Sequence, residues 1–310
     1  MIKEKPGILQ MIRAPFFSSI LSPLIAGTML SVLISNTFSP AGFFLVLLMG
    51  LGLHSATNVY NDIYDTLQGT DKVNVHRNEF SGGSGVLLDH PELQGKMFLI
   101  ARTSLIIAFF AAVGLTFVID RTLWPHLWGL YFLSAWFSKY YSAAPIKLAS
   151  RGLGEISVWI AFGPMAILVA AVSQNIGFHP VILAAMPLTG ISTLSILLLG
   201  QMIDLPADQA TGKWGVAARM GTGFAAKLYL LIQTALIMDI VVLTIFFTSG
   251  SWFILLALIP YIVIFPKTWL IVQENHSNPD ILKVAAKMNV QIHLLFFILF
   301  CIGIGISIIL

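Results

Sequence analysis

Nine stretches of this chain, each about 17–25 residues long, run almost without charge, which removes most folds that 310 residues could adopt. A helix needs about 20 apolar residues to cross the hydrocarbon core of a bilayer, where every backbone polar group must be satisfied inside the segment. Charged residues make up only 10% of the sequence, against about 25% in a soluble domain. The sequence therefore predicts an all-α, polytopic membrane protein with nine spans, at about 16–33, 41–60, 97–119, 124–141, 154–172, 179–202, 225–247, 252–272 and 290–310. It reads as a single integral-membrane domain over 1–310, capped by the links at about 61–96 and 203–224. The opening MIKEKPGILQMIR lacks the small-residue cleavage site of a signal peptide, so the first apolar run is expected to remain as a span. Cys301 is the one cysteine, which excludes an intramolecular disulfide framework and a cysteine metal site.

Positive charge sorts by link. Lys3, Lys5 and Arg13 precede the first span, and Lys72, Arg77, Lys96 and Arg102 follow the second. Lys139, Lys147 and Arg151 follow the fourth span, Lys213, Arg219 and Lys227 the sixth, and Lys267, Lys283 and Lys287 the eighth. Of the 17 Lys and Arg, only Arg121 falls on the other side. The positive-inside rule then puts the N-terminus in the cytoplasm and, with an odd span count, the C-terminus outside. The formal net charge of +3 gives no sign of a nucleic-acid partner.

The acids share that geography. Residues 58–71 read NVYNDIYDTLQGTD and end a long apolar run with Asp62, Asp65 and Asp71. On a continuous helix Asn58, Asp62 and Asp65 stand at i, i+4 and i+7, on one face. Such oxygen donors suit a hard cation like Mg²⁺, and a polar helix end meeting water is the plainer alternative. A second cluster, GQMIDLPADQATGKWGVAARMG at 200–221, places Asp204 and Asp208 four residues apart, with Gln201, Lys213 and Arg219 nearby. Topology puts both clusters at one membrane face. Acids that hold Mg²⁺, with Lys and Arg close behind, form a combination that holds a diphosphate. Between them, HRNEFSGGSGVLL at 76–88 could bring backbone N–H groups to an anion, although such a loop is more often a turn. Tyr140 and Tyr141 could line a pocket at the membrane surface or serve as interfacial aromatics. Glu274 and Asp280 lie in the last link, Asp239 falls inside the seventh span, and His54 reads as a helix-packing histidine.

The pattern N-x-x-x-D-x-x-D with G-x-D after one span, then D-x-x-x-D with G-K and R-x-G after another, resembles the UbiA superfamily of intramembrane prenyltransferases. The segments NDIYDTLQGTD, YSAAPIKLASRGLGE and MIRAPFF are most similar to its 1,4-dihydroxy-2-naphthoate branch, which serves menaquinone synthesis. The resemblance implies a nine-helix bundle around a central cavity in the inner membrane of a prokaryotic cell, its active site facing the cytoplasm. It implies Mg²⁺-dependent transfer of a polyprenyl group, with two ions, from a polyprenyl diphosphate to a small aromatic acceptor. Asn58, Asp62, Asp65 and Asp71 would bind one metal-diphosphate edge, and Asp204 and Asp208 the other. Lys213, Arg77 and Arg219 would neutralise phosphate oxygens, and Tyr140 would face the allylic carbon. The chain departs from that branch at Gly200 and Gln201, where relatives often carry two asparagines, and at Trp214, where they often carry arginine. Transfer to 4-hydroxybenzoate, homogentisate or a lipid glycerol phosphate therefore stays open. A secondary transporter would instead keep its charged site near mid-membrane, where Asp239 stands nearly alone.

Overall fold

The computed structural model describes residues 5–78, 81–248 and 250–310, so Lys3 of the charge pattern and Glu79 and Phe80 of the 76–88 stretch lie outside it. The described residues are helical almost throughout and form no β-strand beyond an isolated bridge between Asn78 and Ser81. The long helices are α1 (Ser18–Ser35), α2 (Pro40–Gln68), α3 (Gln94–Thr116), α4 (Trp124–Tyr140), α5 (Gly154–Ser173), α6 (Pro180–Ile203), α7 (Thr222–Phe247), α8 (Phe265–Asn275) and α9 (Pro279–Ile309).

Seven of them are long and apolar enough to cross a membrane. An eighth candidate is a bent pair, Trp252–Val263 followed by α8, which turns by 40°. Pro260 opens the α-helical end of the first piece, Ile259–Val263, and Pro266 opens α8, each removing a backbone donor. The sequence expectation of nine spans included α4, which at 17 residues is shorter than those seven. Two boundaries also move. Helix α2 continues past its apolar run to Gln68, and α9 begins at Pro279, so Lys283 and Lys287 ride on a helix rather than in a link.

Local chemistry explains where the helices start and stop. Ser39 Oγ accepts from Gly42 N at 3.2 Å with Pro40 next in line, a serine cap followed by proline in the first turn. Asn278 Oδ1 accepts from the Asp280 and Ile281 amides, and Pro279 opens α9. Helix α2 stops at Gly69, whose φ of 87° only glycine adopts cheaply, and the turn carries Asp71 back toward the bundle.

Helix α2 packs along α3, α1 lies against α5 and α9, and α6 touches α5, α7 and α9. Lipid gives helices no hydrophobic reason to associate, so close approach and buried polar contacts hold them. At the α5–α6 crossing, a Cβ on Gly163 would come 2.6 Å from Met186 O, and one on Gly190 would run into Trp159 O. The backbones therefore meet there with no side chain between them. A buried polar knot ties three helices: Asn289 Oδ1 of α9 accepts from Tyr229 Oη and Gln233 Nε2 of α7, both at 2.8 Å. Asn289 Nδ2 donates to Ser195 Oγ of α6 at 2.9 Å. Large apolar side chains on the outer faces, such as Phe110, Phe117, Phe246 and Ile262, are exposed, as a lipid-facing surface requires.

Helix α5 contains one irregular turn. Residues Ala161–Met165, with Pro164 inside, adopt a π turn, and the Phe162 carbonyl accepts from Thr189 Oγ1 of α6 at 2.6 Å. Pro164 removes one backbone donor from this turn, and the Thr189 hydroxyl ties the turn to α6.

Candidate active site

The cytoplasm-predicted ends of α2 and α6, with the segments after them, enclose one cavity of about 260 Å³. Its upper wall carries Asn58, Asn61, Asp65, Asp71, Asn74, Asp204, Asp208 and Lys213, and its depth is apolar, with Leu24, Met49, Leu53, Phe162 and Met165. The two acidic segments are stitched directly: Thr70 and Thr211, 141 residues apart in sequence, place their hydroxyls 3.0 Å apart. Asn74 Nδ2 donates to Asp204 Oδ1 at 2.8 Å across the same seam.

Each carboxylate has a distinct setting. Asp65 Oδ2 accepts from Asn61 Nδ2 and from Lys213 Nζ, both at 3.0 Å. Lys213 Nζ stands 4.0 Å from Asp208 Oδ1, so one ammonium lies between the two acidic segments. Asp62 Oδ1 accepts from Ser84 N at 3.1 Å and faces Arg13 at 3.6 Å, while its buried Oδ2 has no hydrogen-bond partner among the described residues. Thr66 Oγ1 donates to Asp71 Oδ2 at 3.1 Å, and a Cβ on Gly83 would approach that carboxylate at 2.8 Å.

Burial, reinforced by the Asp65 and Asp62 charges, pushes Asp71 up to about 7. Burial likewise pushes Asp208 up to about 7, although Lys213 works in the opposite direction. Asp204 is raised by burial too, and its hydrogen bond from Asn74 only partly offsets that. For the Lys213 ammonium, burial disfavours the charge, yet Asp65 and Asp208 outweigh it and hold the group above the usual lysine range. Asp65, Asp71, Asp204 and Asp208 line the cavity, Asp62 is not among its lining residues, and Lys213 and Arg13 are the cations that oppose them, an arrangement whose negative charge a divalent cation would reduce.

The donor set suits such a cation. It is all oxygen, as Mg²⁺ prefers, and Asp62 Oδ2 is a buried acceptor with no donor among the described residues. Among the described residues no three His, Cys, Asp or Glu side chains gather closely enough to enclose an ion alone. An ion here would complete its shell with ligand oxygens, as Mg²⁺ commonly does with phosphates.

The other residues singled out from the sequence fall in different places. Arg77 is exposed and its guanidinium lies against Gly85 rather than in the cavity wall. Arg219 is exposed and spent on backbone carbonyls, Nε donating to Trp214 O at 2.7 Å and Nη2 to Arg151 O at 2.6 Å. Tyr140 packs on Trp136 outside the cavity, and it is Tyr141, at the helix end, that lines it. Asp239 lies away from the cavity. Sequence reasoning left out Arg13, whose guanidinium sits 4.3 Å over the Phe16 ring and lines the cavity. It also left out Asn61 and Asn74; Asn61, four residues before Asp65, carried a signal in its spacing.

The sequence profile of the UbiA prenyltransferase family matches residues 20–299. The chain belongs to that family. It is a prenyltransferase and an integral membrane protein. Its relatives include the 2-carboxy-1,4-naphthoquinone phytyltransferase of Synechocystis sp., 24% identical over 96% of this chain and 92% of that one. The 1,4-dihydroxy-2-naphthoate octaprenyltransferase of Mycobacterium tuberculosis is 28% identical over 60% of each chain. In fold, the prenyltransferase resembles a UbiA homologue from Archaeoglobus fulgidus bound to DMAPP and Mg²⁺, with a TM-score of 0.63 and 17% identity, over 94% of this chain and 98% of that one. The apo UbiA homologue from Aeropyrum pernix K1 gives the same TM-score and identity over 94% and 96%.

Proposed function

We propose that this prenyltransferase moves a polyprenyl group from its diphosphate to 1,4-dihydroxy-2-naphthoate, a step in menaquinone synthesis. The observation that carries the reading is the joining of two acidic segments, stitched at Thr70 and Thr211, over a cavity whose depth is apolar. A substrate with a diphosphate head and a hydrocarbon tail matches that gradient. The naphthoate-type acceptors in the names of the Synechocystis and Mycobacterium tuberculosis relatives support the choice of acceptor.

Asn58, Asp62, Asp65, Asp71, Asp204 and Asp208 would hold two Mg²⁺ ions, which supply neutralisation of the charge that builds on a departing diphosphate. The Archaeoglobus fulgidus homologue with DMAPP and Mg²⁺ bound supports a divalent ion. Lys213 stands where it can turn from Asp65 and Asp208 to the phosphate oxygens. As the allylic C–O bond breaks, diphosphate keeps the electron pair, and fixed cations stabilise it more than they stabilise the ground state. The apolar walls keep water from the allylic cation. The ring carbon bearing the carboxylate then bonds to the allylic carbon, and the carboxylate leaves as carbon dioxide, so no strong base is needed.

Nine spans with the N-terminus inside would place this chemistry at the cytoplasmic face, as the distribution of Lys and Arg supports. One experiment tests the acceptor. Membranes carrying the protein receive one labelled prenyl diphosphate, Mg²⁺ and, separately, 1,4-dihydroxy-2-naphthoate, 4-hydroxybenzoate and homogentisate. Labelled product is expected with the naphthoate alone, and product with another acceptor in its place refutes the assignment.

A further inference from the structure

His54 lies one turn deeper in α2 than Asn58 and was expected to be a packing histidine. The structure gives it a different setting. Its side chain lines the cavity, is only 7% exposed, and leaves Nε2 buried with no hydrogen-bond partner among the described residues. Two rings hold the imidazole edge-on, Phe17 at 5.9 Å and Phe162 at 5.3 Å between centroids. Leaving a buried polar atom unpaired costs about 1–3 kcal/mol, and a leucine or phenylalanine would pack among those rings without that cost. A polar atom kept at this depth points to a partner that arrives with a ligand.

The position narrows the partner. His54 sits at the seam where the cavity wall changes from Asn58 and Asn61 above to Leu53 and Met49 below. A prenyl tail has nothing to offer an imidazole nitrogen. Diphosphate oxygens belong near Asp62, about 12 Å away along two turns of helix. A group that is flat, aromatic and carries a hydroxyl matches the seam, with its ring against Phe162 and its polar edge at Nε2. A hydroxyl also fits either imidazole tautomer, because it both donates and accepts.

We propose that His54 is a specificity-determining residue for the acceptor, its Nε2 hydrogen-bonding a ring hydroxyl. This rests on the prenyl-transfer reading above. The test uses the full chain in lipid nanodiscs with Mg²⁺ and labelled geranylgeranyl diphosphate. The acceptor probes are 1,4-dihydroxy-2-naphthoate and its two monomethyl ethers. H54F keeps an aromatic ring and removes the hydrogen bond, H54L is a second apolar replacement, and H54Q restores an amide that can donate or accept.

In H54F and H54L the KM for the diol should rise about tenfold, the equivalent of about 1.4 kcal/mol. The KM for the prenyl diphosphate should stay within about twofold, and the wild-type preference for diol over one monomethyl ether should collapse. H54Q should recover most of that preference. A diol KM that does not move, or an equal rise for both substrates, overturns the assignment. If the apolar variants do not fold, an H54Q that shows no preference for the diol over either monomethyl ether overturns it as well. Transfer by the wild type with an unaltered H54F refutes the role of His54 alone, whereas absence of transfer by the wild type refutes the parent reading.

Discussion

Replacing Lys213 with methionine should destabilise the empty protein more at pH 8 than at pH 6. The ammonium stands 3.0 Å from Asp65 and 4.0 Å from Asp208, and all three side chains are largely buried. At an effective dielectric of about 20 those separations correspond to roughly 5 and 4 kcal/mol of gross attraction. Much of this offsets the cost of burying the ammonium, and losing one partner of a buried pair typically costs about 3–5 kcal/mol. We take about 3 kcal/mol at pH 8, a fall of roughly 5–10 °C in Tm. The pH dependence has a definite sign. Asp208 and Asp71 are raised to about 7, so between about 4 and 7 the folded state holds protons that the unfolded state has lost. Stability from these groups is therefore full below about 4 and falls as pH rises through 7. Removing Lys213 takes away the charge that holds Asp208 down, so Asp208 rises further and the variant gains more from acid than the wild type does. The assay is thermal unfolding in detergent without Mg²⁺ at pH 6 and pH 8. Parallel pH profiles, or a Tm shift under about 1 °C at pH 8, would refute the reasoning.

Asp62→Ala and Asp204→Ala should each abolish Mg²⁺-dependent diphosphate release in membranes, and full activity in either would sink the metal assignment. Mg²⁺ held as proposed would displace protons from Asp71 and Asp208, so its apparent affinity should weaken as pH falls through about 7 and level off above it; a Mg²⁺ titration flat from pH 6 to 8 would contradict this. Arg219→Gln should leave the KM for prenyl diphosphate within about twofold, because its donors serve the Trp214 and Arg151 carbonyls; a larger rise would return Arg219 to the site. Asn289→Ala should cost about 3 kcal/mol by stranding the Tyr229 and Gln233 donors, read as a lower Tm with unchanged substrate KM values.

Spacing along a regular helix was legible from the sequence, and departures from regularity were not. Asn58, Asp62 and Asp65 needed only an unbroken α2, and α2 runs on to Gln68. Hydropathy found the apolar stretches but not the 40° bend before α8, because a bend leaves composition untouched. Tyr140 and Tyr141 are neighbours at the point where α4 ends, and no periodicity says which one turns inward. Charge has the same limit. Arg219 lies near Asp208 in sequence, yet carbonyl oxygens claim it, while Arg13 reaches Asn61 from 48 residues away. His54 drew notice only as a packing histidine, because what sets it apart, an imidazole nitrogen with no partner among the described residues, leaves no mark on spacing.

The π turn in α5 bears on how such a cavity could be reshaped. It places one extra residue in the helix, and each residue turns a helix by about 100°. Phe162, which faces His54, lies inside that turn, so its orientation depends on a backbone register as well as on its own rotamer. Deleting one residue between Ala161 and Met165 would swing one end of α5 relative to the other and replace the side chains presented to the ligand together. A single codon could thus alter what the pocket admits while every carboxylate above it stayed in place.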